Sequence, residues 1–291
     1  MKNQSNAPTA YEVIASFKAA MAEQGIVTDA QIIADGQLHR IHIEGHKSGS
    51  LNGAYVLHLD GTPAGYFENF TTGLKVKWKL EGSEQHPLDP EYQKQIEAAK
   101  TEREKQRLIA EQQAAEKARY IREKSPLAES HTYLARKAIP PYGTRIARDG
   151  RLALPMYDHK NRICNLQFIS EDGTKRFLKG GKKKGCFWWL GQNTDTILIA
   201  EGFATAASLH LHTGYLTIIA YDAGNLEAVA KIIRERQATA KIVVCADNDE
   251  SGIGQEKANR AAHAVNGLVA LPPITGDFND WAKQIQGGGN G

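Results

Sequence analysis

The chain has 291 residues, 41% of them hydrophobic and 24% charged, which is enough to bury the core of one large domain or two ordinary ones and excludes a disordered chain. A net charge of +3 is too small to imply nucleic acid by itself, so the local placement of charge must decide that question. No apolar stretch approaches the ~20 residues that span a bilayer, and Met1-Lys2-Asn3-Gln4-Ser5-Asn6 lacks the apolar core of a signal peptide.

Cys164, Cys186 and Cys245 lie far apart with no Cys-x-x-Cys pair, which supports neither a disulfide framework nor a zinc site. A cytoplasmic protein with no membrane partner is expected.

Residues 11–34 open with Tyr11, Val13, Ile14, Phe17 and Met21, spaced as one apolar helical face. Residues 38–80 change to short alternating runs punctuated by Asn52-Gly53 and Asp60-Gly61, the pattern of a small antiparallel β unit. His39, His42, His46 and His58 cluster there. Four-histidine sets are not among the usual structural zinc ligands, so they read as surface histidines on hairpin strands, and zinc is not expected. Residues 90–124 are charged nearly throughout and free of internal Gly and Pro, which predicts a long solvated helix linking two folded parts. Ser125-Pro126 ends it, and a short helix is expected over 130–137.

Residues 145–190 read as β again, with turns at Asp158-His159-Lys160-Asn161 and Asp172-Gly173. A basic loop follows: Lys175, Arg176, Lys179, Lys182, Lys183 and Lys184 surround Gly180-Gly181, and Phe187-Trp188-Trp189 comes next. Such a loop beside aromatics suits a polyanion with exposed bases, and equally a solvated loop next to core aromatics.

From Thr196 strands and helices alternate with short links: strands at 197–200, 216–220, 241–246 and 268–271, helices near 203–212, 225–237 and 254–265, and a last helix from about Asn279. This predicts a parallel sheet with right-handed crossovers. Open sheets of this kind bind ligands at the carboxyl ends of their strands. Asp247-Asn248-Asp249 follows the Val- and Ile-rich run 241–246, and an isolated Asp-x-Asp would be an ordinary turn. Glu201, Asp277 and Asp280 follow other strands of the same sheet. Carboxylates gathered on one edge repel unless they share a cation or a proton, and carboxylate-only ligands suit Mg²⁺ or Mn²⁺. Asp222 is there too, as a neighbour that can serve backbone donors at its turn. Such a site suits phosphoryl transfer, with Glu201 relaying protons.

Ile199-Ala200-Glu201-Gly202 with Ala246-Asp247-Asn248-Asp249 resembles the Toprim domain of bacterial-type primases, topoisomerases and some nucleases. Residues 165–169, 172–178 and 187–191 resemble the segment of primases just before Toprim, which topoisomerases lack. Together these point to Toprim-domain primases of the bacterial, DnaG-like type, encoded by plasmids and phages. The resemblance implies Glu201 as catalytic acid or base, Asp247 and Asp249 as catalytic metal ligands, Asp277 as a further ligand, and Lys175 and Arg176 as holders of nucleotide or template phosphate. Asp280 is carried as a fourth metal residue, and Lys179, Lys182, Lys183 and Lys184 as further nucleotide or DNA contacts. Thr205 and Asn279 stand where such primases often keep acids. Residues 38–73 resemble the strand pattern of the zinc ribbon that usually begins these primases, without its cysteines: a zinc-free relic or an unrelated β unit. No Gly-x-x-x-x-Gly-Lys-Ser/Thr is present, so no fused helicase is expected.

The expected fold is α/β: a small N-terminal β-rich unit with its helix (1–89), a charged helical linker (90–124), a basic mixed α+β primase subdomain (125–194), a C-terminal Toprim domain with a parallel sheet flanked by helices (195–285), and a disordered tail (286–291). The expected function is that of a small stand-alone DNA primase for replication of a mobile element. It would join ribonucleoside triphosphates into short RNA primers on a single-stranded DNA template with Mg²⁺ or Mn²⁺, beside a separate replicative helicase. The alternatives are a Toprim phosphodiesterase or nuclease, and a non-catalytic single-stranded-DNA-binding accessory protein.

Overall fold

Thr9 and Glu12 close a capping box on the first helix, α1 (Ala10–Glu23), in a computed structural model that describes residues 8–59, 62–80, 90–250 and 252–288. The Asp60-Gly61 turn and residues 289–291 of the expected tail lie outside the described residues. Val13, Phe17 and Met21 are buried, whereas Tyr11 is 80% exposed and does not belong to the apolar face. Gly25, at φ 74°, follows the last turn in the left-handed conformation that stops a helix, so α1 ends well before residue 34.

Strands β1 (His39–Ile41), β2 (Gly53–His58), β3 (Ala64–Asn69) and β4 (Leu74–Lys79) form an antiparallel sheet in that order. Phe17 of α1 meets Tyr55, Phe67 and Trp78 of this sheet edge-on, at centroid distances of 6.0, 5.6 and 5.2 Å. Gly65 makes that contact close: a Cβ there would stand 2.5 Å from the Phe17 ring.

His39 and His42 have separate partners. His39 Nε2 lies 2.8 Å from Asp35 Oδ1 and its ring stacks on Tyr55, while His42 Nδ1 lies 3.0 Å from the Ser50 carbonyl oxygen. The Asp35 side chain is fully buried, and Arg103 also binds it. Burial pushes the Asp35 carboxyl up, but hydrogen bonds from His39, the Gln37 N–H and Arg103 outweigh that, leaving it below the ordinary value. Its pairing therefore stabilises the folded state above the ordinary carboxyl pKa and is lost as pH falls through the depressed one. Arg103→Met is expected to lower the stability of the N-terminal unit by about 2 kcal/mol at neutral pH, with the loss shrinking in acid. Chemical denaturation at pH 7 and pH 3 measures both.

The charged stretch is one helix, α2 (Pro90–Lys124). It is not solvated all round. Ala118 is buried against Ala153, Leu166 and Phe168, with Ala114 four residues earlier also buried, so a stripe of small residues lets its second half pack. Contacts divide the chain into two compact units, Met1–Gln106 and Arg107–Gly291, with the boundary inside this helix.

In the second unit, the short helix α3 (Thr132–Lys137) precedes an antiparallel sheet of β5 (Arg145–Ile146), β6 (Leu152–Tyr157), β7 (Ile163–Ile169) and β8 (Lys175–Phe177). The next strand, β9 (Trp188–Leu190), joins a different sheet. That sheet contains β10 (Thr196–Ala200), β11 (Leu216–Ile219), β12 (Lys241–Cys245) and β13 (Leu268–Ala270), in the order 13-12-10-11-9, with only β9 antiparallel. Helices α4 (Phe203–Thr213), α5 (Leu226–Arg236), α6 (Ile253–His263) and α7 (Phe278–Gly288) complete the alternation. Helix α7 takes in residues 286–288, the first three of the tail expected to be disordered. Among the described residues no helix is long and apolar enough to cross a membrane.

Two sequence expectations change here. Phe187 and Trp188 are core residues, at 1% and 7% exposure, and Trp188 stacks on Phe203 of α4. These aromatics therefore build the sheet edge and offer no platform for stacked bases. Cys164 and Cys186 meet sulfur to sulfur with Cα atoms 7.1 Å apart. Chain folding brings them together: Tyr157 and Phe187 exchange backbone hydrogen bonds of 2.8 and 2.9 Å, which lays the segment before β9 along the end of β6.

Candidate active site

β10 is the centre of the parallel sheet, between β11 and β12. Ala200 is in register with Ile219 on one side and Cys245 on the other. The residues that follow, Glu201, Asp222 and Asp247, therefore leave the sheet at one edge. The Asp277 loop joins them because Asn248 and Gly276 exchange backbone hydrogen bonds of 2.8 and 2.9 Å. Five carboxylates from three strand ends and one loop thus share an edge, with Glu201 and Asp247 half-buried.

The electrostatics record how close they are. Burial pushes the Glu201 carboxyl up, the charges of Asp247 and Asp222 push it further, and Lys175 opposes them. Burial also raises Asp247, with Asp277, Asp249 and Asp280 adding to it and Lys175 again opposing. The Tyr133 hydroxyl on α3 is pushed up to about 12 by burial, with the Asp277 charge contributing. The ammonium of Lys175 is thus the cation that β8 lends to this acidic edge. Consistently, a Cβ on Gly202 would stand 3.5 Å from Lys175 Nζ.

The individual acids differ. Asp222 Oδ1 accepts from the Gly224 N–H at 2.7 Å and caps a 3-10 turn, the backbone service anticipated for it. Asp249 Oδ1 accepts from the Gly252 N–H at 3.0 Å ahead of α6. Asp277 and Asp280 cap α7 reciprocally: the Asp280 N–H donates to Asp277 Oδ1 at 2.8 Å, and the Asp277 N–H lies 3.4 Å from Asp280 Oδ2. Asp280 also pairs with Lys137 Nζ at 3.4 Å. Asn279 faces inward: it is 1% exposed and its Nδ2 donates to Lys137 O at 2.7 Å and Ser208 Oγ at 2.8 Å. Thr205 is buried in α4. The two positions where acids are frequent in the resembling primases therefore serve packing here.

Carboxylate oxygen is the right donor chemistry for Mg²⁺ or Mn²⁺. The mutual repulsion that raises Glu201 and Asp247 is what a divalent cation would relieve. Among the described residues no group of three or more His, Cys, Asp or Glu is drawn into a closed metal-binding arrangement. Asp249 and Asp277 each turn one oxygen to a backbone N–H.

The basic residues do not form one patch. Lys175 and Phe177 alternate with Arg176 along β8, so Arg176 projects from the opposite face. Phe177 meets Tyr221 edge-on at 6.5 Å, and Lys183 Nζ lies 5.0 Å over the Phe177 ring, which puts Lys183 on the Lys175 side. Lys179 and Lys184 are exposed and Lys182 is half-buried. The loop itself is held by two buried asparagines that the sequence reading passed over. Asn165 Nδ2 donates to Lys182 O at 3.0 Å, and a Cβ on Gly181 would collide with the Asn165 side chain at 2.4 Å. Asn225 accepts from the Gly185 N–H at 2.7 Å and donates to Cys186 O and Ala220 O at 2.9 and 2.8 Å. It ties the loop to the end of β11, with both amide hydrogens and its oxygen engaged. Their only sequence signal is a polar amide inside or beside an apolar run, which does not reveal its partners.

Residues 196–287 match the Toprim domain family. The chain is 34% identical over 293 aligned positions to a DNA primase TraC of Escherichia coli, covering 92% of this chain and 20% of that one. A second Escherichia coli DNA primase TraC is 34% identical over 272 positions, covering 87% and 25%. The chain thus spans a fifth to a quarter of the length of the curated relatives it matches. Among solved structures, the primase fragment of the bacteriophage T7 primase-helicase protein is 18% identical with a TM-score of 0.44, over 57% of this chain and 75% of that one. The Aquifex aeolicus primase, with zinc-binding and RNA polymerase domains, is 11% identical with a TM-score of 0.40, over 95% and 83%.

Proposed function

We propose, from the premise that residues 196–287 are a Toprim domain in a chain similar over most of its length to DNA primases, that this protein makes short RNA primers on single-stranded DNA by metal-dependent nucleotidyl transfer in the replication of a mobile element. The observation that carries the reading is the meeting of Glu201, Asp247, Asp249 and Asp277 on one sheet edge with the Lys175 ammonium set against them.

In this reading Asp247, Asp249 and Asp277 hold Mg²⁺ or Mn²⁺. A divalent cation held there would neutralise triphosphate charge and make the attacking hydroxyl more acidic. Glu201, raised by burial and by its acidic neighbours, takes the proton of the 3′-hydroxyl as that oxygen attacks the α-phosphorus and pyrophosphate leaves. Lys175 stands where it can contact the phosphates of the incoming nucleotide. Lys183, and Lys179 and Lys184 beyond it, extend positive charge along the path of the template. Asp280 acts through the α7 cap and its Lys137 pair.

An end-labelled single-stranded template incubated with the four ribonucleoside triphosphates and Mg²⁺ tests this against the nuclease alternative. The template is expected to stay full length while short complementary RNA accumulates. Shortening of the labelled strand would assign the edge to phosphodiester cleavage, and neither outcome with retained single-strand binding would favour the accessory protein.

A further inference from the structure

We infer that Asn248, the residue between the two aspartates, is the positioning residue that holds the two halves of the acidic edge in register; this rests on the reading of that edge as a metal site. Asn248 makes five hydrogen bonds. Its backbone N–H and C=O pair with Gly276, at 2.8 and 2.9 Å. Its Nδ2 donates to Ile274 O at 3.1 Å and Pro272 O at 3.3 Å. Its Oδ1 accepts from Gln255 Nε2 at 3.2 Å.

The amide orientation is fixed by these partners, because two carbonyl oxygens can only face the NH₂ group. The consequence is geometric. Asp247 and Asp249 follow β12, whereas Asp277 arrives on the loop after β13. The two segments are joined at this edge through Asn248: backbone to backbone at Gly276, and side chain to backbone at Pro272 and Ile274. Alternation along the extended Asp247-Asn248-Asp249 segment turns Asn248 to the side away from its two neighbours. It therefore grips the 272–276 loop while leaving both carboxylates to the edge. Gln255, from the first turn of α6, holds the amide from behind and links the helix after Asp249 to the same knot.

Only an amide fits. Aspartate has the same shape but would present a carboxylate to two carbonyl oxygens, with no proton to share. Alanine would leave both carbonyls without their donor.

The test reads metal affinity on the full chain, by electron paramagnetic resonance of free Mn²⁺, with thermal unfolding measured alongside. Partners that orient metal ligands typically contribute 10–100-fold in affinity. Asn248→Asp and Asn248→Ala are expected to weaken Mn²⁺ binding at least about tenfold, and Gln255→Ala to a smaller extent in the same direction. Val265→Ala, buried in the sheet–helix core and touching neither loop, provides a destabilised control that keeps wild-type affinity. If both Asn248 variants failed to fold, Gln255→Ala would decide. Mn²⁺ affinity unchanged in the folded Asn248 and Gln255 variants would overturn the proposal. So would a loss no greater than that in Val265→Ala. A wild-type chain that bound no Mn²⁺ would remove the metal edge itself, a separate failure that takes the positioning role with it.

Discussion

Asp247→Asn is expected to lower primer synthesis about 10³-fold, or about 4 kcal/mol of transition-state stabilisation, while leaving the fold intact. The substitution keeps shape and removes one negative charge from the centre of the edge. Asp247 is the acid on which the repulsion converges, with Asp277, Asp249 and Asp280 all raising its carboxyl. Removing that charge relieves the neighbours, so the melting temperature should hold or rise slightly, the usual signature of a site where activity opposes stability. Labelled-nucleotide incorporation and thermal unfolding measure the pair of effects. Activity within tenfold of wild type would place the chemistry elsewhere.

Lys175→Gln is expected to lower kcat/KM about 10²-fold, and Arg176→Gln far less, although the two residues are adjacent. Lys175 faces Glu201 and Asp247 and offsets both. Arg176 leaves β8 on the other face, where its cross-strand partner Phe168 belongs to the cluster under α2. Removing Lys175 would take away the phosphate contact proposed for it and leave the acids less compensated, so higher Mg²⁺ should restore part of the loss. Steady-state kinetics at two Mg²⁺ concentrations reads both variants. Equal losses at the two positions would mean that the basic residues act as an undirected patch.

The parts of this protein governed by local pattern were legible from sequence. Short Val- and Ile-rich runs placed β10, β11, β12 and β13 to within a residue or two, because buried parallel strands carry their signal in a few consecutive side chains. The gathering of Glu201, Asp247 and Asp277 followed from that alternation alone. What depends on cross-chain partners was not legible. Trp188 and Trp189 looked like aromatics beside a basic loop, and only the pairing of β9 with β11 makes them a sheet edge. Arg176 looked equivalent to Lys175 until β8 fixed their opposite faces. The buried stripe on α2 rests on alanines, whose small side chains hardly register in an otherwise charged helix. Asn165 read as part of a strand, Asn225 as the start of a helix and Asn248 as the middle of a turn, because an amide reveals its partners only when the backbone groups it binds have been folded around it.

Incorporation of labelled ribonucleotides on single-stranded DNA by the wild-type chain, with Mg²⁺ or Mn²⁺, tests the central claim most directly. Short template-dependent RNA is the expected product, abolished by chelation and by Glu201→Gln. No product with either metal, from a chain that unfolds cooperatively and binds the template, would contradict the assignment of this edge to primer synthesis.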